Sequence, residues 1–250
     1  MEKTANKMRI SPDHKEIMLS PAYKVLGREW EFEDDFIAGE ILIELIFNNR
    51  PLLTLSCSPG LVKELVYGYL LNKGFLSSFD DIASTNYDEE EGVIYVKSKD
   101  ELKIHGLPAL EPIDNDFQFT HQELMDYFVL LDEFEKPLCR PTAGFYSGAI
   151  GWQGSLHLPV CDVNSQSVLF KMRGIAAVEN KPAPAGILLF SDRVCADIIL
   201  DAAKMGIPVV ASCGAPSSLA ISYAEKLNIT LIGFVRNNKM YIYSNDWRWK

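Results

Sequence analysis

The sequence predicts an α/β protein in which a mostly parallel sheet follows a smaller α+β unit. Three short runs of Ile, Val and Leu alternate with helical patterns in the second half of the chain. Continuous apolar runs are typical of strands buried on both faces, and their alternation with helices is typical of a parallel sheet. The predicted elements are strands GILLF (186–190), IPVVAS (207–212) and ITLIGFV (229–235), with helices from about Val194 to Met205 and from about Ser217 to Leu227.

Turn residues indicate further strands on both sides of this repeat. FYSGAIG and GSLHLPV flank the turn at 151–154 and predict a hairpin, after which a helix is expected over 164–180. Asn237-Asn238 favours a two-residue turn. We therefore expect MYIYS (240–244) to form an antiparallel edge strand.

The first half of the chain has a less regular pattern. Alternating apolar residues predict strands over 23–47, PLLTLSC (51–57) predicts their return strand, and VIYVKS and ELKIHG predict two more. A helix is expected next to Cys57, with Ser58 as its N-cap and Pro59 at its first position. Another helix is expected over 121–135, where apolar residues recur at helical spacing.

The segment PLCRPTAG (137–144) contains two prolines and is the expected domain boundary. It divides the chain into a loose N-terminal segment (1–20), a smaller α+β subdomain (21–138) and an α/β domain (139–250).

Composition narrows the possible classes of function. The 250 residues carry 34 acidic and 24 basic side chains, so the net charge is −10 and the pI is about 4.9. Nucleic-acid binders normally present a basic face, and that class is disfavoured. No apolar run reaches the roughly 18 residues needed to span a bilayer, and the N-terminus lacks an apolar leader. We expect a soluble cytoplasmic protein with no membrane partner.

The five cysteines stand at positions 57, 139, 161, 195 and 213. No two are separated by two residues, so the usual zinc and dithiol motifs are missing. Cys57 and Cys195 lie in apolar patterns and are expected to be core thiols. Cys139 and Cys213 fall in loops and are the stronger candidates for reactivity, although an inert thiol is the commoner outcome.

Ligands of open parallel sheets bind where strands end and helices begin. That rule selects the loops after GILLF, IPVVAS and ITLIG. The helix that begins near Ser217 offers backbone N–H groups to an anion, and arginines in the other two loops can form bidentate bonds to phosphate. The candidate binding residues are Ser191, Arg193, Ser217, Ser218, Phe234, Val235, Arg236, Asn237, Asn238 and Lys239.

Each candidate residue also has an ordinary structural interpretation. Ser217 suits a helix N-cap, and Asn237-Asn238 suits a hairpin turn. Considered together, the three loops favour a phosphate-bearing ligand, because they bring Arg193, Arg236 and Lys239 to one edge of an acidic chain. The two asparagines could then hydrogen-bond the edge of a base or a pterin.

A zinc-dependent deaminase is a weaker alternative. His121-Gln122-Glu123 matches the His-x-Glu half of that signature, but the Pro-Cys-x-x-Cys half is missing. A surface helix explains the three residues, and we expect no tightly bound metal. The sequence also lacks G-x-G-x-x-G and Walker-type loops.

Three segments of the chain resemble the formate dehydrogenase accessory protein (FdhD) family. They are CSPGLVKELVYGYLLNKGFLSSFDDI (57–82), FSDRV (190–194) and AKMGIPVVASCGAPSSLAISYAEKLNITLIGFVRNNKMYIYS (203–244). The resemblance extends over about 50–244. It implies a cytidine-deaminase-like three-layer sandwich with a small added subdomain.

The resemblance also implies a function, which is sulfur transfer. Family members accept sulfur as a persulfide from a cysteine desulfurase and deliver it to the molybdenum bis(molybdopterin guanine dinucleotide) cofactor of formate dehydrogenase. For this chain it implies that the cofactor, or a GDP-like ligand, is held as cargo against residues 234–239. It also implies a homodimer.

Several family positions differ in this chain. The family's Cys-x-x-Cys would align near 105–108, where the sequence is HGLP, so both thiols are replaced. The Thr-Gly-Gly-x-His segment becomes TAGFY (142–146), Asp-Val-Gly-Arg-His-Asn becomes DVNSQS (162–167), and Ser-Gly-Arg becomes SDR (191–193). Since persulfide transfer needs a thiolate, no catalytic residue is assigned.

Two functions are therefore expected. The first is that of a formate dehydrogenase accessory protein, a sulfurtransferase acting on the molybdenum cofactor during enzyme maturation. The alternative is a non-catalytic relative that binds a nucleotide or molybdopterin, or acts as a chaperone, without sulfur transfer. In both, the 139–250 domain binds the cofactor.

Overall fold

A computed structural model describes residues 9–10, 15–100, 106, 109–181 and 183–250. The elements of the first half are β1 (Arg9–Ile10), β2 (Ile17–Leu26), β3 (Glu29–Ala38), β4 (Ile41–Phe47), β5 (Arg50–Cys57), α1 (Val62–Asn72), β6 (Ile82–Asp88), β7 (Val93–Ser98), α2 (His121–Glu135) and α3 (Cys139–Thr142). Those of the second half are β8 (Tyr146–Trp152), β9 (Ser155–Asp162), α4 (Ser165–Val178), β10 (Ile187–Phe190), α5 (Ala196–Lys204), β11 (Val209–Ser212), α6 (Ser218–Lys226), β12 (Thr230–Arg236) and β13 (Lys239–Ser244).

The larger sheet has six strands in the order β13-β12-β11-β10-β8-β9. The strands β10, β11 and β12 are parallel to one another, as the sequence predicts. The prediction of a mostly parallel sheet is wrong, because three of the sheet's five pairings are antiparallel. Two of these pairings are the tight hairpins β8–β9 and β12–β13, since a short turn can join only antiparallel strands, and the third arises because β8 lies antiparallel beside β10.

Both faces of this sheet are covered. In β10, Leu188 and Phe190 point into a core built with α4, α5 and α6, whereas Ile187 and Leu189 point into a second core built with α2. All four side chains are buried, which explains why the strand lacks polar alternation. The fold is thus a mixed α/β sandwich, and its likeness to cytidine deaminases stays a prediction.

A smaller four-stranded sheet, in the order β5-β4-β7-β6, packs on α1. This sheet is joined to the larger one through a close contact of α1 with α4. A Cβ on Gly68 would collide with the carbonyl oxygen of Phe170, and one on Gly174 with that of Glu64. The two helix backbones therefore touch directly at these glycines.

The helix α2 lies in the predicted 21–138 subdomain but packs on the larger sheet. Its side chains Leu124, Tyr127 and Leu131 share a core with β8 and β10. The division of the chain at 20 and 138 stays a prediction. The predicted strand ELKIHG lies outside the described residues except for Gly106.

A long ribbon, β2 paired with β3, extends from the protein. Tyr23 lies opposite Phe32, and Val25 opposite Trp30, so the four side chains share one face. All four are more than half exposed. No helix in the described part of the chain is long and apolar enough to cross a membrane.

The predicted start of α1 is wrong. The helix begins at Val62, after Leu61 in a left-handed conformation, and not at Pro59. Ser58 does not cap it, because the Ser58 side chain is buried and bonded to Asp162 and Lys171. A polar group that is buried with two charged partners is not free to cap a helix.

Candidate functional site

The three predicted loops meet at the carboxyl ends of β10, β11 and β12. The N–H of Val194 donates to the carbonyl of Ala215 at 3.1 Å, and the N–H of Ser217 donates back to Val194 at 2.9 Å. The N–H of Phe234 donates to the carbonyl of Gly214 at 3.0 Å. These bonds hold the loops 191–195, 213–217 and 234–239 together, and we call the three loops the strand-end edge.

A glycine makes this close approach possible. A Cβ on Gly214 would lie 2.7 Å from the nitrogen of Arg193 and 2.8 Å from the carbonyl oxygen of Asp192. The Ser212 hydroxyl donates to that same carbonyl and accepts from the N–H of Gly214 at 2.9 Å. The first two loops are therefore fixed to each other by backbone contacts.

The third loop is shaped by an irregularity in β12. Phe234 has a φ of +55°, and the pairing with β13 shifts register between Gly233 and Arg236. Beyond it, Asn237 and Asn238 both have positive φ and form the predicted two-residue turn. The irregularity places the Arg236 guanidinium 5.8 Å from the centre of the Phe234 ring, within the range of a cation–π contact.

Three cationic side chains of the edge are exposed. Among the described residues, Arg193, Arg236 and Lys239 have no ion-pair partner. They are thus available to an anion from solution, and bidentate binding of phosphate suits the two arginines.

Several other predicted residues already have partners. Ser217 is the N-cap of α6 and accepts from the N–H of Ala220 at 3.2 Å. The Ser191 hydroxyl accepts from the N–H of Ser147 at 2.8 Å. Ser218 follows the N-cap and is exposed, so its N–H lies at the positive end of the helix dipole.

Two predicted residues already make contacts elsewhere in the fold. The Val235 side chain is 4% exposed and lies in the core, so it can contact a ligand only through its backbone. Asn238 forms a hydrogen bond with Nε2 of His121, which begins α2. In the same first turn, Glu123 accepts from the N–H of Thr120 at 2.7 Å, so the HQE segment forms a helix cap.

Sequence reasoning missed a carboxylate near the edge. Glu135 ends α2 and accepts a hydrogen bond from the hydroxyl of buried Ser147. Partial removal from water and the charge of Glu135 raise the pKa of Cys213 to about 11, while Arg236 acts in the opposite direction. The acidic last turn of α2 could have indicated the position, because a helix C-terminus disfavours a carboxylate.

A second missed feature is a fully buried set of polar side chains. Lys171 Nζ lies 2.6 Å from Asp162 Oδ2 and donates to the Ser58 hydroxyl at 2.7 Å. That hydroxyl donates to Asp162 at 3.1 Å, and the N–H of Asn164 donates to Asp162 at 2.8 Å. We call Ser58, Asp162 and Lys171 the buried ion cluster. Burial of the thiol and the nearby charge of Asp162 raise the pKa of Cys57 to about 12, while Lys171 acts in the opposite direction.

The cysteines differ from the sequence expectation. Cys195 is exposed, so its prediction as a core thiol is wrong, and Cys139 lies buried at the start of α3 and not in a loop. Cys57 is buried and Cys213 exposed, as predicted. The sulfur atoms of Cys139 and Cys161 lie 2.6 Å apart, a proximity that the spacing of the cysteines in the sequence does not indicate.

The fold and the edge define a class of protein. It is an α/β protein with exposed cations gathered where three parallel strands end. A model of the FdhD/NarQ family matches residues 38–250, and the chain belongs to that family.

Named relatives agree with this assignment. The chain is 28% identical to the sulfur carrier protein FdhD of Bacillus pumilus, over 88% of this chain and 94% of the relative. It is 26% identical to the protein of the same name in Halalkalibacterium halodurans, over 84% and 87% of the two chains. A crystal structure from Desulfotalea psychrophila, assigned as a formate dehydrogenase accessory protein, has a TM-score of 0.81 at 19% identity, covering 94% of this chain and 100% of the other.

Proposed function

We propose that this protein is a formate dehydrogenase accessory protein that holds a guanine-dinucleotide form of the molybdenum cofactor as cargo. The strand-end edge is its binding site. The observation that carries the proposal is the meeting of three loops that present Arg193 and Arg236 without an ion-pair partner among the described residues. On a chain of net charge −10, such a cluster attracts an anionic ligand locally.

The residues of the edge fit a diphosphate in three ways. The two guanidinium groups can each form two parallel bonds to phosphate oxygens. The first turn of α6, beginning at Ser218, offers N–H groups at the positive end of the helix dipole. Exposed Asn237 can pair with the edge of a guanine through its side-chain amide.

Sulfur transfer is the second part of the proposal. The relatives are named sulfur carriers, and we propose that a cysteine desulfurase supplies sulfur to this chain for delivery to the bound cofactor. The proposed setting is the cytoplasm, with formate dehydrogenase as the protein served and a homodimer as the assembly. We propose no nucleic-acid or membrane partner.

A non-catalytic binder is the second candidate function. The observation that favours it is the replacement of the family's Cys-x-x-Cys near 105–108, of which His105, Leu107 and Pro108 lie outside the described residues. Such a relative would bind or protect the cofactor without carrying sulfur.

GDP tests the binding site. We expect GDP at a hundred times its Kd to stabilise the protein by about 2.7 kcal/mol, seen as a higher melting temperature. Guanosine, which lacks phosphate, should give little shift in melting temperature.

Two variants test the residues of the site. Arg193→Ala or Arg236→Ala should weaken GDP binding about tenfold or more, because each removes a charge-assisted hydrogen bond. Arg50→Ala, at an exposed arginine on the smaller sheet, is the control. An unchanged shift in both test variants would show that the site is misplaced.

A mass measurement separates the two candidate functions. Incubation with a cysteine desulfurase and cysteine should add about 32 Da, the mass of one persulfide sulfur, to a carrier. If GDP binds but no adduct forms on any of the five cysteines, the protein is a binder and not a sulfur carrier.

A further inference from the structure

Cys139 and Cys161 come from different elements and meet at their sulfur atoms. Cys139 begins the short helix α3, and Cys161 lies in β9. Their Sγ atoms are 2.6 Å apart, and both thiols are free. A disulfide bond is about 2.0 Å long, so closure needs a movement of less than about 1 Å. We call these two residues the thiol pair.

Solvent access and acidity set how fast the thiol pair can react. Cys139 is 7% exposed, whereas Cys161 is only partly buried and keeps contact with solvent. The hydrogen bond to Cys139, burial and the charge of Glu135 raise the pKa of the Cys161 thiol, so thiol–disulfide exchange should be faster at high pH than at neutral pH. The helix α3 has four residues, and Ala143 ends it in a left-handed conformation with φ +48°. A helix this short has few hydrogen bonds to break, so its first residue can move by the small amount that bond formation requires.

The surroundings connect the thiol pair to the strand-end edge. Cys161 pairs with Ser147 across β9 and β8. Ser147 in turn donates its N–H to Ser191 and its hydroxyl to Glu135. A covalent link at Cys161 would therefore restrain the strand position opposite Ser147, which is hydrogen-bonded directly to Ser191 of the edge.

We propose that Cys139 and Cys161 form a redox-active pair that closes to an intramolecular disulfide on reaction with a disulfide oxidant such as oxidised glutathione. The reaction has two exchange steps. The Cys161 thiolate attacks a sulfur of oxidised glutathione, which forms a mixed disulfide and releases one glutathione thiolate. The Cys139 thiolate then attacks the protein sulfur, which forms the Cys139–Cys161 bond and releases the second glutathione.

The electrons and protons balance in this sequence. The two protein thiols lose two protons and two electrons, and oxidised glutathione gains both to become two reduced glutathione molecules. Two molecules of reduced glutathione, or one molecule of a dithiol reductant, reverse the reaction. The proposal does not depend on whether the edge binds the molybdenum cofactor.

Oxidation of the full-length wild-type protein tests the proposal. Treatment with oxidised glutathione should lower the intact mass by about 2 Da, the two hydrogens lost in this two-electron step. A digest without reductant should contain one peptide that links Cys139 to Cys161. Both cysteines should become resistant to alkylation together, and a reductant should restore both. The melting temperature of the oxidised form should rise, because a cross-link over 22 residues restrains the unfolded chain.

Variants make the test specific. A variant carrying Cys195→Ser and Cys213→Ser removes the exposed thiols and should still lose about 2 Da, whereas Cys161→Ser should not. Should Cys161→Ser fail to fold, the wild-type peptide map decides alone. Glutathione attached only to single cysteines, or a cross-link between other cysteines, would overturn the proposal.

Discussion

The buried ion cluster and the strand-end edge lie at the same end of the larger sheet. The charges of the cluster are buried and paired, whereas those of the edge are exposed to solvent. Asp162 ends β9, and Ser191 follows β10, with the start of β8 between them. In the cluster, Lys171 and Asp162 have no exposed surface, and each charge has a partner. At the edge, Arg193 and Arg236 are exposed and have no ion-pair partner within the described chain.

The difference distinguishes charges that maintain the fold from charges that can bind. Removal of one member of a buried pair leaves the other ionised without water or partner, and the fold loses stability. Removal of an exposed arginine changes stability little, because water already solvates the group. A charge in the cluster is therefore tested by the free energy of unfolding of a variant, and a charge at the edge by the ligand affinity of a variant.

The largest expected effect belongs to the cluster. Lys171→Met keeps the length of the side chain but leaves Asp162 unpaired, and we expect the free energy of unfolding to fall by about 3–5 kcal/mol. Urea denaturation measures this change. Lys63→Met, at an exposed position of α1, is the control and should change stability by less than about 0.5 kcal/mol.

A double replacement sharpens this result. Asp162→Leu combined with Lys171→Met removes both charges, and it should recover much of the stability lost in the single variant. If the single variant were as stable as the Lys63→Met control, the cluster would not differ energetically from surface charges.

An intermediate loss of stability is expected from replacing Gly214, which contacts both the loop that carries Arg193 and the loop that carries Arg236. Gly214→Ala places a methyl group against the backbone of Asp192 and Arg193. We expect a loss of about 1–3 kcal/mol from this overpacking, together with weaker GDP binding. Denaturation and GDP titration measure the two consequences separately.

Gly206→Ala is the comparison for this prediction. Gly206 has open space around it but a φ of +71°, so its replacement costs about 1–2 kcal/mol from backbone strain alone. It lies at the other end of α5, and GDP binding should stay unchanged. Equal weakening of GDP binding in both variants would mean that general destabilisation, and not the shape of the edge, controls affinity.

The smallest expected effect is a change in thiol reactivity at the edge. Glu135 raises the pKa of Cys213 and Arg236 lowers it. Glu135→Gln should therefore lower this pKa and speed alkylation of Cys213 below pH 11, whereas Arg236→Ala should slow it. A pKa change of one unit alters the rate only about threefold, because nucleophilicity falls with pKa.

Alkylation followed by peptide mass spectrometry measures these rates. Cys195, which is also exposed, provides the internal reference and should react equally in both variants. If the alkylation rate of Cys213 changed in the same direction in Glu135→Gln and Arg236→Ala, the opposite effects of the two charges on its pKa would be contradicted.

The sequence predicted the parts of the molecule that depend on local patterns. The strands β10–β13 and the helices between them agree with their apolar runs to within a few residues. The meeting of the three loops also followed, because parallel strands end at one edge. The antiparallel direction of β8 relative to β10 could not be predicted, because the local sequence of a hairpin does not indicate which strand of the sheet it will pair with.

The missed residues are those whose partners are distant in sequence. Ser58 is 104 residues from Asp162 and 113 from Lys171. Cys139 and Cys161 are 22 residues apart and show no spacing associated with a dithiol. Periodicity reports which face of an element is buried, but it cannot report what that face meets.

The contact between α1 and α4 has a mechanical consequence. Gly68 of α1 contacts the carbonyl of Phe170 in α4, and Gly174 of α4 contacts the carbonyl of Glu64 in α1. Neither contact leaves space for a methyl group. Sliding of one helix along the other would drive backbone atoms into backbone atoms, so the smaller sheet cannot shear against the larger one. Any opening of the strand-end edge for the proposed cargo would therefore come from its own loops, above all from the hairpin that carries Arg236, and not from sliding between the sheets.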